Sequence, residues 1–465
     1  MMQKKLLSFL GIVLLSFILY LLPTPEGLTP HGHSAIIFML AAVLFWVTGV
    51  LPIAFAAILF TVLPAVFHIA PLPNMMANFA TPTVFFVFAM FVVSIAFQNS
   101  GFSRRIVLWA SVKSHGKPEK LLLYLMMAGG LLSSILADIP VMAMLLPVAL
   151  VILQNNDCVQ HKSSFGRAMM IGLPFACLIG GVGTHAGSSM NAMTIGLLKD
   201  TAGVNISFLE WACVGMPMVL ILTPIAWFFT IKVYPPEMNS LIGMEDMKQE
   251  YEELGKLQAK EWKFLLILLI NMILWMTDKV HNIPLPVVCV LGATLFLIPG
   301  VGLIDWASDG HKIGWEVLMV VGSANSLGVL LWDQGAASWI AANCLGGIAD
   351  MPLWMMIAVI SAFTVLVHLI IPVNTAIVAV MFPALVALAG SLGANAAILA
   401  MPMAFSVSAA LLLPLDPVSL VSYNSGYYKN GRHVQTRYFH FHSLGHHHAS
   451  HYADHCQAPR THVTF

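Results

Sequence analysis

Two aspartates draw attention first, because each interrupts a run made otherwise of apolar residues. Asp138 lies in ILADIPVMAMLLPVAL and Asp416 in ALLLPLDPVSLVSY. A carboxylate set in hydrocarbon is costly, and its usual work is to hold a cation or a proton. The bland reading of such a residue is a protonated acid donating one hydrogen bond. Near the first acid lie Thr184, Ser188, Ser189 and Asn191, and near the second Asn374, Thr375, Ser419, Ser422 and Asn424. Side-chain oxygens of these types suit a sodium ion, together with main-chain carbonyls freed where a helix breaks. Amide N–H groups freed at the start of a half-helix carry partial positive charge and suit an anion. No Lys or Arg falls inside these segments, so a permanently cationic site is excluded. Any single Ser, Thr or Asn here reads equally well as a bond to the preceding turn or as glue between helices. His185 and His368 read as packed or pore-facing polar residues rather than as ligands.

The elements that must position these groups follow from composition. Of 465 residues, 59% are hydrophobic and 9% charged, and the mean hydropathy is +0.86. Soluble domains carry about 45–50% apolar and about 25% charged residues. The 21 basic residues are balanced by 21 acidic ones, which leaves no surplus for nucleic-acid phosphates. The apolar runs are continuous rather than alternating, which predicts helices and not barrel strands. At roughly 20 residues per pass, the chain has room for about ten or eleven passes. The expectation is an all-α polytopic membrane protein. The basic, apolar opening resembles a signal peptide, but no small-residue cleavage site follows, and it is read as a retained first helix. The six cysteines are scattered without a Cys-x-x-Cys pair and read as apolar filler.

Several apolar segments are too short to span and come in pairs. The pair 121–136 and 141–154 is split by Ala137-Asp138-Ile139-Pro140, and the pair 352–371 and 376–390 by Pro372-Val373-Asn374-Thr375. Broken helices in corresponding halves of a chain point to a transporter binding site. The halves do correspond: Pro147 and Pro383 lie 236 positions apart, and Pro174 and Pro402 lie 228 apart, with the polar stretch 154–166 absorbing the difference. Lys and Arg near helix ends put the N-terminus inside, with 104–120, 162–167 and 235–263 on the same side. Counting passes from there brings the second hairpin in from the opposite face, so the two repeats are inverted. The expected division is scaffold helices over 1–80, repeat 1 over 81–233 with its re-entrant hairpin at 121–154, and a charged cytoplasmic linker over 234–263. Further scaffold helices follow over 264–314, then repeat 2 over 315–428 with its hairpin at 352–390. Residues 429–465 form a His-rich tail that cannot span and reads as disordered or non-native, with a metal-binding reading of His446-His447-His448 set second.

The paired hairpins ending in LLPVAL and NTAIVAVMFPAL, each followed by a loop, and the closing SYNSGYY resemble the divalent anion:sodium symporter family, the sodium-dicarboxylate and sulfate carriers. The resemblance covers about residues 30–428. It implies a Ser-Asn-Thr at each hairpin tip and a Thr-Pro-Pro-Asn-type loop in each broken helix. Here Asn374-Thr375 matches with Val373 in place of serine, and Ala137-Asp138-Ile139 fills the first motif. THAGSSMNAM keeps Gly187, Ser188 and Asn191 without the prolines. LDPVSLVSYNSGYY has Asp416 for threonine, keeps Pro417 and has Ser419 for asparagine. By resemblance, substrate is expected at Asn374, Thr375, Ser188 and Asn191. Sodium or a proton is expected at Asp138, Gly183, Thr184, Ser188, Asn191, Asn374, Asp416 and Ser419.

The expected function is sodium-coupled symport of a small divalent anion by alternating access, a C4-dicarboxylate first and sulfate second. Sodium is the coupling ion, with no other metal or cofactor, and the protein is not an enzyme. Its expected setting is the inner membrane, multi-pass, with a cytoplasmic N-terminus and a homodimer contact in the scaffold. One rival is a sodium/proton antiporter or other ion carrier of the same fold group, favoured by the two acids. Another is an intramembrane hydrolase using His185 or His368 with Ser188, for which no His-Glu-x-x-His or Gly-x-Ser-x-Gly context occurs.

Overall fold

Proline and glycine set many of the helix boundaries in the computed structural model, which describes residues 2–368, 371, 374–408, 416–423 and 425–428. The side chain of Lys4, Pro372-Val373, Asn424 and the tail 429–465 lie outside the described residues. No strand occurs among the described residues. The first helices are α1 (Met2–Leu21), α2 (Pro30–Thr48), α3 (Ile53–Val66), α4 (Leu72–Phe79), α5 (Pro82–Ser100) and α6 (Phe102–Ser114). Thr29 caps α2 by accepting from Gly32 N at 2.9 Å, and Pro30 supplies a pre-set first turn. Gly101, at φ 78°, takes the left-handed conformation that ends α5 and turns the chain into the amphipathic α6.

Next come α7 (Pro118–Ser133), α8 (Asp138–Asn155), α9 (Ser164–Gly181), α10 (Ser189–Ala202), α11 (Phe208–Val233), α12 (Met244–Glu253), α13 (Ala259–Met276) and α14 (Leu285–Leu295). The second half contains α15 (Trp315–Asp333), α16 (Ala336–Cys344), α17 (Leu353–Val367), α18 (Asn374–Ser391), α19 (Ala397–Val407) and α20 (Pro417–Tyr423). Seven helical stretches among the described residues are long and apolar enough to cross a bilayer, and five apolar helices are shorter. The shorter ones include α17 and α19, next to the second break, which fits half-helices that stop at mid-depth. This is an all-helical polytopic architecture.

Packing brings the two halves into each other. The core around α7, α8 and α9 takes in Val418, Tyr427 and Tyr428 from the end of the described chain. Conversely, Met193 and Leu197 of α10 are buried with Phe382, Leu385 and Met403 of α18 and α19. Thus α20 lies on α8 and α9, while α10 lies on α18 and α19. Backbones meet closely where α7 and α9 cross: a Cβ on Gly180 would sit 2.2 Å from the Gly130 carbonyl oxygen, so only glycine fits there.

Hydrogen bonds sort the connecting segments into two faces. On one, Asn99 donates to Leu303 O (3.0 Å) and Asp309 (2.8 Å), Leu241 N to Gly116 O (2.8 Å) and Gln160 to Ser425 O (3.0 Å). Arg105 pairs there with Glu261 at 2.7 Å, and both side chains are largely buried. On the other, Thr29 donates to Gln334 O (3.0 Å), Trp339 to Glu26 O (2.9 Å) and Lys279 to Glu210 (2.6 Å). The first face holds Arg104, Arg105, Lys113, Lys117, Lys162, Arg167, the lysines of 248–263 and Lys312, whereas Lys199 and Lys279 lie together on the second.

Candidate functional site

The first break is held open by hydroxyl and amide groups that replace lost helical bonds. Ser133 Oγ donates to Cys177 O at 2.7 Å, and Ser134 Oγ lies 2.9 and 3.0 Å from the carbonyls of Gly130 and Gly180. Thr184 Oγ1 donates to Ser134 O and accepts from Ala186 N (3.1 Å). Asn191, in the first turn of α10, donates its amide to Gly181 O and Thr184 O, both at 2.7 Å. Its Oδ1 is buried without a partner. Asp138 opens α8, 8% exposed, and its Oδ1 accepts from Ile139 N at 2.9 Å. Its Oδ2 lies beside Gly181, 3.4 Å from where a Cβ would stand. A cavity of about 30 Å³, room for one water or a bare cation, is lined by Ala137, Asp138, Ala186, Ser188 and Ser189, with Phe86 also in its wall.

The second break has a shorter cast. Asp416 is 2% exposed and caps α20 by accepting from Val418 N at 2.8 Å. Its other oxygen accepts from Asn374 Nδ2 at 2.6 Å. That bond joins the start of α18 to Asp416, the residue that precedes α20. Asn374 Oδ1, Ser419 Oγ and Ser408 Oγ are buried without partners, and Thr375, next to Asn374 at the start of α18, is buried too. Ser188 lines the chamber with Asp138, Asn191 reaches the Gly181 carbonyl beside it, and Asn374 meets Asp416, whereas Gly183 and Thr184 lie against Ser134. The two groups sit on elements that pack together, since α20, which Asp416 precedes, lies on α8, which Asp138 opens.

Buried acceptor oxygens lacking donors are what a dehydrated cation needs, and the helical starts of α8, α10 and α18 bring main-chain N–H groups to the same region. The histidines stand apart from this. His185 packs edge-on to Phe208 and Trp211 with its Nε2 unpartnered, so it makes no bond to Ser188. His368 Nε2 is 2.5 Å from Val407 O. Neither forms the pair a hydrolase would use. Ser133 and Ser134 were missed by the sequence reasoning; their signal was two hydroxyls in the last turn before a break.

The family model described as the sodium:sulfate symporter transmembrane region matches residues 3–436. This chain belongs to that family. It is a transporter of a membrane-embedded, multi-pass kind and not an enzyme. A sodium-dependent dicarboxylate transporter SdcS of Staphylococcus saprophyticus is 25% identical over 449 residues, covering 90% of this chain and 86% of that one. The SdcS of Staphylococcus aureus strain USA300 is 25% identical, covering 90% and 85%. A membrane protein of Cupriavidus necator is 25% identical over 418 residues, covering 85% and 81%. Among solved structures, the YdaH transporter of Alcanivorax borkumensis, described as having an unusual topology, has a TM-score of 0.50 at 14% identity and 94% coverage of both chains. That likeness is one of fold.

Proposed function

We propose that this sodium:sulfate symporter family member carries a small divalent anion together with sodium, a C4-dicarboxylate first and sulfate second, by alternating access between two inverted repeats. The observation that carries the reading is the set of donorless buried oxygens, Asn191 Oδ1, Asn374 Oδ1 and Ser419 Oγ, beside Asp138 and Asp416. Sodium is cargo here, and the donor set fits it: hard oxygen ligands, two of them carboxylates, in segments free of Lys and Arg. The cation sites are assigned to Asp138, Gly183, Thr184, Ser188 and Asn191 in one half and Asn374, Asp416 and Ser419 in the other. Asn374, Thr375, Ser188 and Asn191 are assigned to the anion, met also by the main-chain N–H groups that start α10 and α18. The names of the SdcS relatives support both cargoes.

The Lys- and Arg-rich face is assigned to the cytoplasm by the charge rule, with the N-terminus on that side and the protein in the inner membrane. Scaffold helices before residue 80 and over 264–300 are assigned to a homodimer contact. The second reading, favoured by the proximity of Asp138 and Asp416, is a sodium/proton antiporter or another ion carrier of the same fold group.

Thermal unfolding of the purified protein with a panel of anions, each with and without sodium, tests the choice of cargo. The expected result is stabilisation by succinate or sulfate that needs sodium. Stabilisation by sodium alone, with no anion adding to it, favours the second reading.

A further inference from the structure

A cavity of about 470 Å³ opens on the Lys-poor face, within the range of about 300–1,000 Å³ usual for small-molecule sites. Its walls are the first turns of α5, the outer half of α10 and the turn at 278–287. Lys199 and Lys279 both line it, with Asp200 and Asp278 beside them, so its mouth is wet and carries both signs of charge. His185, 3% exposed and with Nε2 unpartnered, faces the same cavity, and such a buried group is ordinarily satisfied by water or a ligand.

The position of Phe86 links this cavity to the acids. Phe86, 3% exposed, lines both the 470 Å³ cavity and the small Asp138 chamber. The adjacent residues His185 and Ala186 divide between the two, His185 to the larger cavity and Ala186 to the chamber. Where α5 and α10 cross beside it they touch, since a Cβ on Gly196 would lie 2.3 Å from Thr83 Oγ1. Phe86 is therefore the residue common to the walls of a charged cavity and of the chamber that holds a buried carboxylate. An apolar constriction of that kind stops hydrated ions by dewetting.

We propose that the larger cavity is the outer vestibule of the transport route and that the Phe86 ring is the barrier between it and the Asp138 chamber. This rests on the transport reading and the orientation assigned above. Cargo arriving from outside fills the vestibule and passes Phe86 to reach Asp138 and Ser188.

Thiol accessibility in right-side-out and inside-out vesicles tests this, with a membrane-impermeant reagent and peptide mass spectrometry to separate the introduced cysteine from the native ones. Ala192→Cys, in the vestibule wall, is expected to label from the outer side, and Ala186→Cys only slowly. Adding Phe86→Ala to Ala186→Cys should speed outer labelling by about tenfold or more, as expected when a barrier falls by at least 1.4 kcal/mol. Phe86→Val, a smaller change, should raise the rate in the same direction if Phe86→Ala does not fold. Labelling of Ala192→Cys from the inner side alone, or from neither side, overturns the vestibule. An Ala186→Cys rate that is the same with and without Phe86 overturns the barrier. None of these readouts needs substrate, so a failure of sodium-driven uptake bears on the transport reading alone.

Discussion

Asn374 gives its amide hydrogen to Asp416 and keeps its oxygen free, so one side chain both fixes an acid and offers a ligand. Hydrogen bonds to charged groups contribute about 1.5–3 kcal/mol, and losing this one unsettles Asp416 as well as the start of α18. Asn374→Ala is expected to abolish anion binding, measured by calorimetric titration in saturating sodium, while the protein stays monodisperse. Unchanged affinity removes Asn374 from the site. For the acids, Asp138→Asn and Asp416→Asn are each expected to raise the sodium needed for half-maximal uptake, since each removes a formal charge from a dry site. A sodium curve unmoved by both substitutions contradicts the cation assignment. Both acids were legible in the sequence because a charge in an apolar run is conspicuous. The bond between Asn374 and Asp416 was not legible: they are 42 residues apart, and a pairing over that separation leaves no mark in the sequence.

At the scale of elements, the breaks owe their shape to close helix approach. Gly180 and Gly130 allow α7 and α9 to touch backbone to backbone, which in turn places Ser134 against Gly180 O and Thr184. Gly180→Ala is expected to cost about 1–3 kcal/mol of stability, seen as a lower melting temperature, and to reduce uptake. Gly172→Ala makes the useful contrast, because its Cβ would meet the flexible end of Met126 at 2.9 Å. A smaller loss is expected there, and equal losses would mean that the backbone contact is not special. On the basic face Arg105 ties α6 to the linker, donating to Glu261 and to the carbonyls of Gly255 (2.9 Å) and Lys256 (3.2 Å). Its hydrogen bond holds the Glu261 carboxyl below its ordinary value. A depressed carboxyl stabilises the fold above its unfolded pKa and loses that contribution as pH falls through the folded one. Glu261→Gln should therefore lower the melting temperature at pH 7 and flatten the acid limb of stability below about pH 4.3, and an unchanged acid limb would show the pair to be idle. Helix positions were readable from Pro, Gly and apolar run length, as at 376–390, which falls inside α18 (Asn374–Ser391). Side-chain bonds across helices, such as Ser134 with Gly180, follow from tertiary contact and leave no periodic trace.

For the whole molecule, the interlocking of halves is the feature that makes a shared site. The end of the described chain is buried in the core around α7 and α8, and α10 with α18 and α19, so each half packs on the other. The Pro147 and Pro383 spacing is the sequence sign of the expected repetition, while the packing of each half on the other leaves no such sign. The vestibule behind Phe86 was hidden for the same reason, since an aromatic residue in an apolar helix reads as packing until the spaces it lines are known. All of this converges on sodium-driven movement of a dianion. The most direct measurement is uptake of labelled succinate, with sulfate in parallel, into proteoliposomes under an inward sodium gradient and under potassium alone. The expected result is accumulation that depends on the sodium gradient and disappears in Asn374→Ala. Uptake of the same size without sodium, or no uptake of either dianion under the gradient, would contradict it.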